Sequence, residues 1–563
     1  MNNKKYSFIE LNKRLFHKAH SVKKLLFIST LASIVGNLSQ MGIMGSGAIW
    51  ILSASGRMDH RYETKAMLAM LGFALLIAIN RYLEGYVSHA GAYRLLADMR
   101  IEMFDTLRRL SPACLVDRQT GDLLSIAISD IETVEFFFAH TIGPMCTVII
   151  LPALTLIIAY SCHPYFALFL LPIYLLICII FPLLALKVGN RIGMKYRECL
   201  SSLKTLVLES IYAIKDIQIF HNGDQKLKEL RECNREVNKA AHGLTIHRQT
   251  VTSAPTFFVY LARITIIAIA SYLALNKYVD GNQVIFLSFI VSASFSSTQS
   301  LTMVVSSLLE TYAASTRLFN LEDTLPAVQE CENPIELETI DTIEFDHVSF
   351  RYNENSPYLL KDCNFTIKKG DKIGISGQSG IGKSTFIRLL LRFWDVSEGK
   401  ICINGIPIQK YSLKSLHERI TVLEQFTFLF DDTIANNIAF GKPNASKEEI
   451  IQAAKRAGIH DLIETLPEGY DTIMGQMNSR LSGGERQRIG IARTLIMQPD
   501  ILVMDEPTSN LDVLNEKGLL EVLGKEYQNR TFVLVSHRRS SFTKCKQIYK
   551  IEDGKLTLEQ SNA

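Results

Sequence analysis

The sequence predicts a polytopic all-α membrane domain of six long helices, followed by a soluble α/β domain built around a phosphate loop. Three observations predict this. Between residues 22 and 310 lie several apolar stretches long enough to cross a bilayer. From about residue 338 the chain reads as short strands and helices of soluble type. Near residues 377–385 a glycine-rich run stands between an apolar strand and an apolar helix. At about 150 residues per domain, 563 residues suggest three or four domains. The averages of 48% hydrophobic and 21% charged residues hide the division into unlike halves. Lys plus Arg is 60 and Asp plus Glu is 56, a net charge of +4. That balance excludes a basic nucleic-acid coat or an acidic disordered tail as the main theme. With Gly 32, Pro 15 and Cys 10 over the whole length, fibrous, collagenous and disulfide-stapled classes are excluded too. The expected division is 1–320 for the membrane domain, 321–337 for a linker and 338–563 for the α/β domain.

The first span is expected over Leu25–Ala54, which holds no charged residue. A signal peptide is the rival reading, but the run is too long for one and further spans follow. Lys4, Lys5, Lys13, Arg14, Lys18, Lys23 and Lys24 precede it and favour a cytoplasmic N-terminus. The second helix is apolar from Ala66 to Ile79, meets Asn80, Arg81, Glu84 and His89, and continues to Leu110. About 45 helical residues make roughly 65 Å, twice a hydrocarbon core of about 30 Å. Its lower half therefore projects into water. Spans three and four are expected at 141–160 and 165–186, joined by the tight turn Ser161–Pro164. Spans five and six are expected at 251–275 and 284–307 around a turn at Tyr278–Gln283. Charged, proline-free residues 187–249 read as two more projecting arms meeting at a bend. Bends at 111–125 and near 201–211 look like docking surfaces; the plainer reading is that the arms only thicken the protein.

In the second half, Glu338–Phe350 and Phe365–Lys368 read as strands. Lys372–Ser376 then leads into Gly377-Gln-Ser379-Gly380-Ile-Gly382-Lys383-Ser384-Thr385 and a helix, matching the phosphate-loop pattern at every fixed position. Glycine lets the backbone curl around phosphate, and exposed N–H groups with a helix N-terminus attract the anion. Lys383 is placed to meet the terminal phosphates of a nucleotide, and Ser384 to ligate Mg²⁺. Ile501–Glu506 reads as a buried strand ending in two acids: Asp505 to hold Mg²⁺ through water, Glu506 to polarise an attacking water. Alone, a strand that happens to end in polar residues explains it as simply; beside the glycine loop it does not. Leu481-Ser482-Gly483-Gly484-Glu485 opens another helix with two glycines. A second phosphate device so far along the chain implies that two copies sandwich ATP between them.

These residues resemble the nucleotide-binding domain of ATP-binding-cassette transporters, and Leu481–Glu485 resembles that family's signature motif. The resemblance implies further roles. Tyr352 stands where an aromatic residue stacks on adenine. Gln425 stands at the glutamine that ligates Mg²⁺ and senses the membrane arms. Ser509–Asp512 resembles the loop that ends in Asp512, with Asn510 in place of the usual Ala. His537 stands at the histidine that contacts the γ-phosphate, where a structural histidine is the plainer alternative. Thr472–Gln476 resembles an exporter segment that usually ends in Glu; Gln476 keeps hydrogen bonding and loses the charge. Six spans before one cassette resemble the exporter-fold half-transporters, so a second half-transporter is implied, with 111–125 and 201–211 as coupling helices. Within the fold, Arg81-Tyr-Leu-Glu84, Ser88-His89, Tyr93–Ala97, Arg100, Ser111-Pro-Ala, Gly121–Ser125 and Asp130 resemble the CydC half of the CydDC thiol exporters. That resemblance implies export of glutathione or cysteine, a CydD-like partner, a bacterial inner-membrane location and association with haem. The sequence reads Ser88-His-Ala-Gly91 where those proteins have Ser-His-Asp-Ala.

Arg81 and Glu84 share a helical face, and Arg263 lies in the middle of span five. Charges at depth usually face a cavity or each other. They read either as an internal pair that pins helices or as a site that attracts a substrate carboxylate. His89 reads as a haem ligand only through the resemblance; a hydrogen-bonded interface histidine is the plainer reading. The ten cysteines show no CxxC spacing, so neither a zinc site nor a structural disulfide is expected. Besides thiol export, the sequence admits import or export of another solute (haem, a metal chelate, a peptide or a hydrophobic drug), as a homodimer or a heterodimer. It also admits a non-transporting ATPase regulator. Nucleic acid is excluded as a partner by the spans.

Overall fold

The computed structural model describes residues 6–474 except 117, 119 and 379, residues 481–507 and 530–561, and isolated positions between 508 and 529. The chain divides into two compact units, residues 1–109 with 117–324 and residues 110–116 with 325–563.

The first unit is helical. Ser7 caps the Phe8–Lys18 helix by accepting a hydrogen bond from the Glu10 N–H at 3.2 Å. Arg14 grips Asp323 with two bonds of 2.7 Å, and Lys18 reaches Glu322 at 2.9 Å and also pairs with Glu102. These pairs tie the N-terminal helix to the ends of Arg61–Leu110 and Ser296–Glu322. The Arg61–Leu110 helix has 50 residues and Gly223–Leu275 has 53, so each is roughly 75–80 Å long and overshoots any bilayer. In the most apolar stretch of Arg61–Leu110 only 6% of residues are buried. Leu68, Leu71 and Leu75 face outward, the pattern of a helix whose apolar surface meets lipid or another subunit.

Five helices among the described residues are long and apolar enough to span a membrane: Phe8–Ala54, Arg61–Leu110, Thr120–Cys162, Pro164–Tyr212 and Gly223–Leu275. The sixth span expected over 284–307 does not form as one helix. The chain breaks at Phe295 into the 14-residue helix Gly281–Ser294 and the helix Ser296–Glu322. Tertiary bonds explain the break. The Ser292 carbonyl, which a continuing helix would offer to residue 296, accepts from Arg263 Nη2 at 2.8 Å. Ser294 donates back to the Val291 carbonyl at 2.8 Å and also bonds the Tyr174 hydroxyl, while the Phe295 ring stacks on Tyr174 at 5.0 Å. The expected bend at 201–211 also moves. Those residues are helix interior, because nothing there interrupts Phe181–Tyr212; the chain turns instead over 213–222, where His221 takes a left-handed φ of 53° just before Gly223.

The second unit has two sheets. The antiparallel one orders Leu360–Lys368, Thr342–Phe350, Glu398–Ile403 and Ile406–Pro407. The other orders Lys555–Ser561, Gln547–Glu552, Lys372–Ser376, Thr531–Val535, Ile501–Asp505 and Ile420–Leu423. Its middle strands run parallel and are apolar in their interiors, with polar residues such as Lys372, Ser376 and Asp505 at their ends, as strands covered on both faces require. Two cores build the unit. Phe345, Phe365, Phe386, Ile375 and Val533 centre one; Ile438, Ala454, Ile489, Leu495 and Leu502 centre the other.

Candidate active site

The glycine loop leaves the C-terminal end of Lys372–Ser376, the edge where ligands of open α/β sheets bind. A Cβ on Gly377 would sit 2.9 Å from Ile381 Cγ2, and Gly382 has φ 115° with the Leu359 carbonyl 3.2 Å from where its Cβ would stand. Neither position accommodates a side chain. Ser379 lies outside the described residues. Gly380, at φ 81°, and Gly382 turn the chain into the Lys383–Leu390 helix. Lys383 is buried and donates to the Gly377 and Gln378 carbonyls at 2.9 and 3.0 Å, so its ammonium already lies across the mouth of the loop.

Asp505 and Glu506 arrive on the neighbouring strand but one. Ser384 Oγ donates to Asp505 Oδ2 at 3.2 Å. Burial pushes the Asp505 carboxyl above its usual range, Glu506 beside it pushes the same way, and the Ser384 bond opposes. Glu506 is held at a left-handed φ of 47° by its N–H bond to the Val535 carbonyl, 2.8 Å. Its Oε1 lies 3.5 Å from Lys383 Nζ and 3.1 Å from His537 Nδ1. Lys383, Ser384, Asp505, Glu506 and His537, read separately from the sequence, thus form one connected set. A divalent cation between the Ser384 hydroxyl and the Asp505 carboxylate fits this donor set of hard oxygens.

Tyr352 packs edge-on against Phe350 and Trp394 at 5.0 and 5.4 Å. Its hydroxyl accepts from Arg388 Nη1 at 2.7 Å and bonds Thr385 Oγ1 at 3.1 Å. Gln425 follows Ile420–Leu423 and is half-buried. The segment around it is bound to the Gly483–Met497 helix. Gln487 donates to the Glu424 carbonyl at 3.0 Å and accepts from Thr427 at 3.2 Å, and Arg493 donates to the Phe428 carbonyl at 3.2 Å. The approach is so close that a Cβ on Gly490 would stand 2.4 Å from Thr427 Oγ1. The sequence reading missed Gln487, Arg493 and Gly490, whose roles depend on a loop some sixty residues away.

Ser482 caps that helix reciprocally: Glu485 N–H donates to Ser482 Oγ at 3.4 Å, and the Ser482 N–H donates to Glu485 Oε2 at 2.6 Å. The Ser-x-x-Glu spacing announces this cap. Gly483 and Gly484 are its first residues, and Leu481 anchors it in the second core, whereas the glycine loop is anchored in the first. Gly475, Gln476 and Ser509–Asp512 lie outside the described residues.

In the membrane unit, Arg81 pairs with Glu84 at 2.8 Å and donates to Asn37 Oδ1 at 3.2 Å. Arg263 donates to the Ser292 carbonyl, lies over the Tyr260 ring at 5.4 Å, and keeps a buried Nε without a partner. Among the described residues the two arginines share no bonding partner. The His89 ring is packed by His140 at 5.0 Å and Tyr93 at 5.8 Å, and its Nδ1 is sealed from solvent. Among the described residues nothing around this ring points to a porphyrin.

Residues 360–509 match the family model described as ABC transporter, and residues 25–298 match the ABC transporter transmembrane region. An ATP-binding/permease protein of Haemophilus influenzae, described as a probable ABC transporter, is 33% identical over 95% of this chain and 98% of its own. The chain belongs to the ABC transporters. A Bacillus subtilis ATP-binding/permease protein whose name assigns it, as a putative function, to multidrug export is 30% identical over 97% of this chain and 95% of its own. The solved structure of a bacterial Atm1-family ABC exporter with ATP bound superposes with a TM-score of 0.83 at 24% identity, covering 95% of this chain and 94% of that one. This ABC transporter is a half-transporter of the exporter fold: a multi-pass helical domain followed by a cytoplasmic cassette that binds ATP and Mg²⁺ and couples hydrolysis to transport. None of these matches singles out the CydC proteins.

Proposed function

We propose that the chain is one half of a dimeric ATP-driven exporter of a small solute. The observation that carries this reading is the connected set Lys383, Ser384, Asp505, Glu506 and His537 in one lobe, with the Ser482 helix start anchored in the other. In this reading the N–H groups of 377–385 cradle the phosphates, and Lys383 leaves its carbonyl partners for the β- and γ-oxygens. Ser384, Asp505 and Gln425 face Mg²⁺; Glu506 polarises the attacking water, and His537 contacts the γ-phosphate. Tyr352 borders the adenine. Ser482, Gly483, Gly484 and Glu485, with Asp512, close over the nucleotide of the partner chain. The two phosphate devices are anchored in different cores of the cassette, and in this reading each serves a different nucleotide, so that two chains associate about a two-fold or pseudo-two-fold axis. The turn segments 111–125 and 213–222 carry cassette motion to the membrane helices.

The broad reading of the cargo has the stronger support: a solute of open identity, with relatives named for multidrug export and for the Atm1 family. The narrower reading, glutathione or cysteine with a CydD-like partner in a bacterial inner membrane, rests on the residue pattern from Arg81 to Asp130. Co-purification from the native membrane identifies the partner. ATP-dependent flux of reduced glutathione, cysteine, haem, a peptide and a hydrophobic drug into sealed inside-out vesicles then assigns the cargo. Uptake of one solute that needs both ATP and Glu506 supports export. ATP turnover with no flux supports a regulatory ATPase, and flux in the opposite direction supports import.

A further inference from the structure

A second polar site lies in the cassette, away from the glycine loop. The connector 326–331, which leads from the last membrane-unit helix into the cassette, lines an open cleft of about 430 Å³ through all its residues but Val328, with Arg392, Asp395, Gln409 and Lys410 opposite. Arg392 is only 2% exposed and sits at a left-handed φ of 51°. Its Nε donates to Asp395 Oδ1 at 3.2 Å, and Nη2 donates to the Gln329 carbonyl at 2.9 Å. Its Nη1 is buried with no partner. A charged donor left unbonded in the interior is expensive, and native proteins supply an acceptor.

The other groups of the cleft say which acceptor. Asp395 is engaged by Arg392, and Glu330 accepts from the Leu413 N–H at 2.6 Å. Among the described residues the Lys410 ammonium and the Gln409 amide have no hydrogen-bond partner, and the Lys410 carbonyl is taken by the Ile335 N–H at 2.8 Å. The unspent donors are a buried guanidinium nitrogen, an exposed ammonium and an amide N–H, while Asp395 and Glu330 each keep one further oxygen open. A cation would have to sit beside the unbonded Arg392 guanidinium nitrogen and the Lys410 ammonium, which repel it. A phosphoryl or carboxylate group matches all three.

We propose that this cleft binds a small oxyanion, bridging Arg392 and Lys410 and bracing the connector 326–331 against the cassette. The bound group adds an anchor where the connector is now held by Gln329 and Glu330. It thereby stiffens the segment through which membrane helix and cassette are joined.

Amide hydrogen exchange tests this on the full-length dimer in neutral-lipid nanodiscs. The Glu506→Gln variant with Mg-ATP bound keeps the glycine loop filled, so that added inorganic phosphate reports on other sites. The expected result is slower exchange at 326–335 and 408–413, by about tenfold when phosphate reaches ten times its dissociation constant. Sodium chloride of equal ionic strength should leave exchange unchanged. Lys410→Ala, an exposed substitution, should weaken the phosphate response about tenfold while leaving ATP hydrolysis in the otherwise wild-type chain unaltered, the loss of one charged hydrogen bond. Arg392→Lys keeps the charge and loses the fork, and should abolish the response. Protection in phosphatidylglycerol discs without added phosphate would identify a lipid headgroup as the source; protection only with dissolved phosphate would identify a soluble ion. Equal slowing by chloride, an undiminished response in Lys410→Ala, or no slowing with phosphate or anionic lipid overturns the proposal.

Discussion

Replacing Glu506 by Gln separates nucleotide binding from hydrolysis more cleanly than any other change at this site. The carboxylate lies 3.5 Å from Lys383 Nζ and 3.1 Å from His537 Nδ1 through one oxygen. Gln presents an oxygen at the same place, so both contacts survive without the carboxylate's charge, and the backbone pinned to the Val535 carbonyl does not move. What disappears is the group that orients and polarises water. A positioned general base is worth about 10²–10⁴ in rate, which is about 3–5 kcal/mol of barrier. Binding moves the other way if it moves at all. Glu506 is one of the groups that hold the Asp505 carboxyl up, and removing that charge favours the ionised Asp505 that Mg²⁺ requires. We therefore expect turnover in reconstituted dimer to fall at least 100-fold while ATP affinity stays within about threefold, some 0.7 kcal/mol. Steady-state phosphate release and equilibrium ATP binding on the same preparation measure both. Turnover within threefold of the parent, or ATP binding lost with it, would refute the assignment of Glu506.

Four further outcomes follow from particular contacts. Arg317 donates through Nε to Asp130 Oδ2 at 2.7 Å and pairs with it through Nη2 as well; Asp130 is buried. Arg317 is itself half-exposed, so Arg317→Ala leaves the carboxylate short of two bonds but reachable by water and should cost about 1–3 kcal/mol, read as a lower thermal inactivation midpoint in nanodiscs; an unchanged midpoint contradicts the pair's role. Gly382→Ala places a Cβ 3.2 Å from the Leu359 carbonyl at φ 115°, so ATP binding should drop by tenfold or more, about 1.4 kcal/mol, with helix content preserved; normal affinity would show the loop to be more forgiving. The folded Asp505 pKa lies above its ordinary 3.8, so the empty folded protein holds this proton more tightly than the unfolded chain does. Asp505 thus costs stability as pH rises from the ordinary aspartate range to its raised folded value. Mg²⁺ needs the ionised form, so Mg-dependent ATP binding should weaken as pH falls toward that raised value, and Asp505→Asn should remove the dependence. Arg263→Ala frees the Ser292 carbonyl; if Arg263 reads substrate, stimulated ATPase falls more than basal ATPase, whereas equal loss with less folded protein assigns it to pinning the break at Phe295.

What the sequence made legible is local chemistry. Gly377–Thr385 declares itself because a backbone that wraps phosphate tolerates few residues, and Ile501–Asp505 because a strand covered on both faces stays apolar until it emerges, here at Asp505. The long helices were legible from length and charge alone. The break at Phe295 was not, because it depends on Arg263, Tyr174 and Ser294 meeting across the fold while the apolar pattern continues through it. The turn at 213–222 was placed about ten residues early, since the residues on either side of it are equally helical in pattern. Tyr352 reads as an aromatic near the nucleotide, but its bonds to Arg388 and Thr385 are invisible until the helix folds beside it. Arg392 reads as one more surface charge in Leu391-Arg-Phe-Trp, and only the left-handed backbone and the connector packed over it reveal a buried guanidinium.

The most direct measurement is solute movement against ATP in sealed inside-out vesicles holding the purified dimer, with membrane-helix hydrogen exchange followed on the same sample. Coupling predicts that a solute accumulates only with hydrolysable ATP, that helix protection changes between the empty and ATP-trapped forms, and that Glu506→Gln stops accumulation. Brisk ATP turnover with unchanged helix protection and no solute inside the vesicles would contradict it.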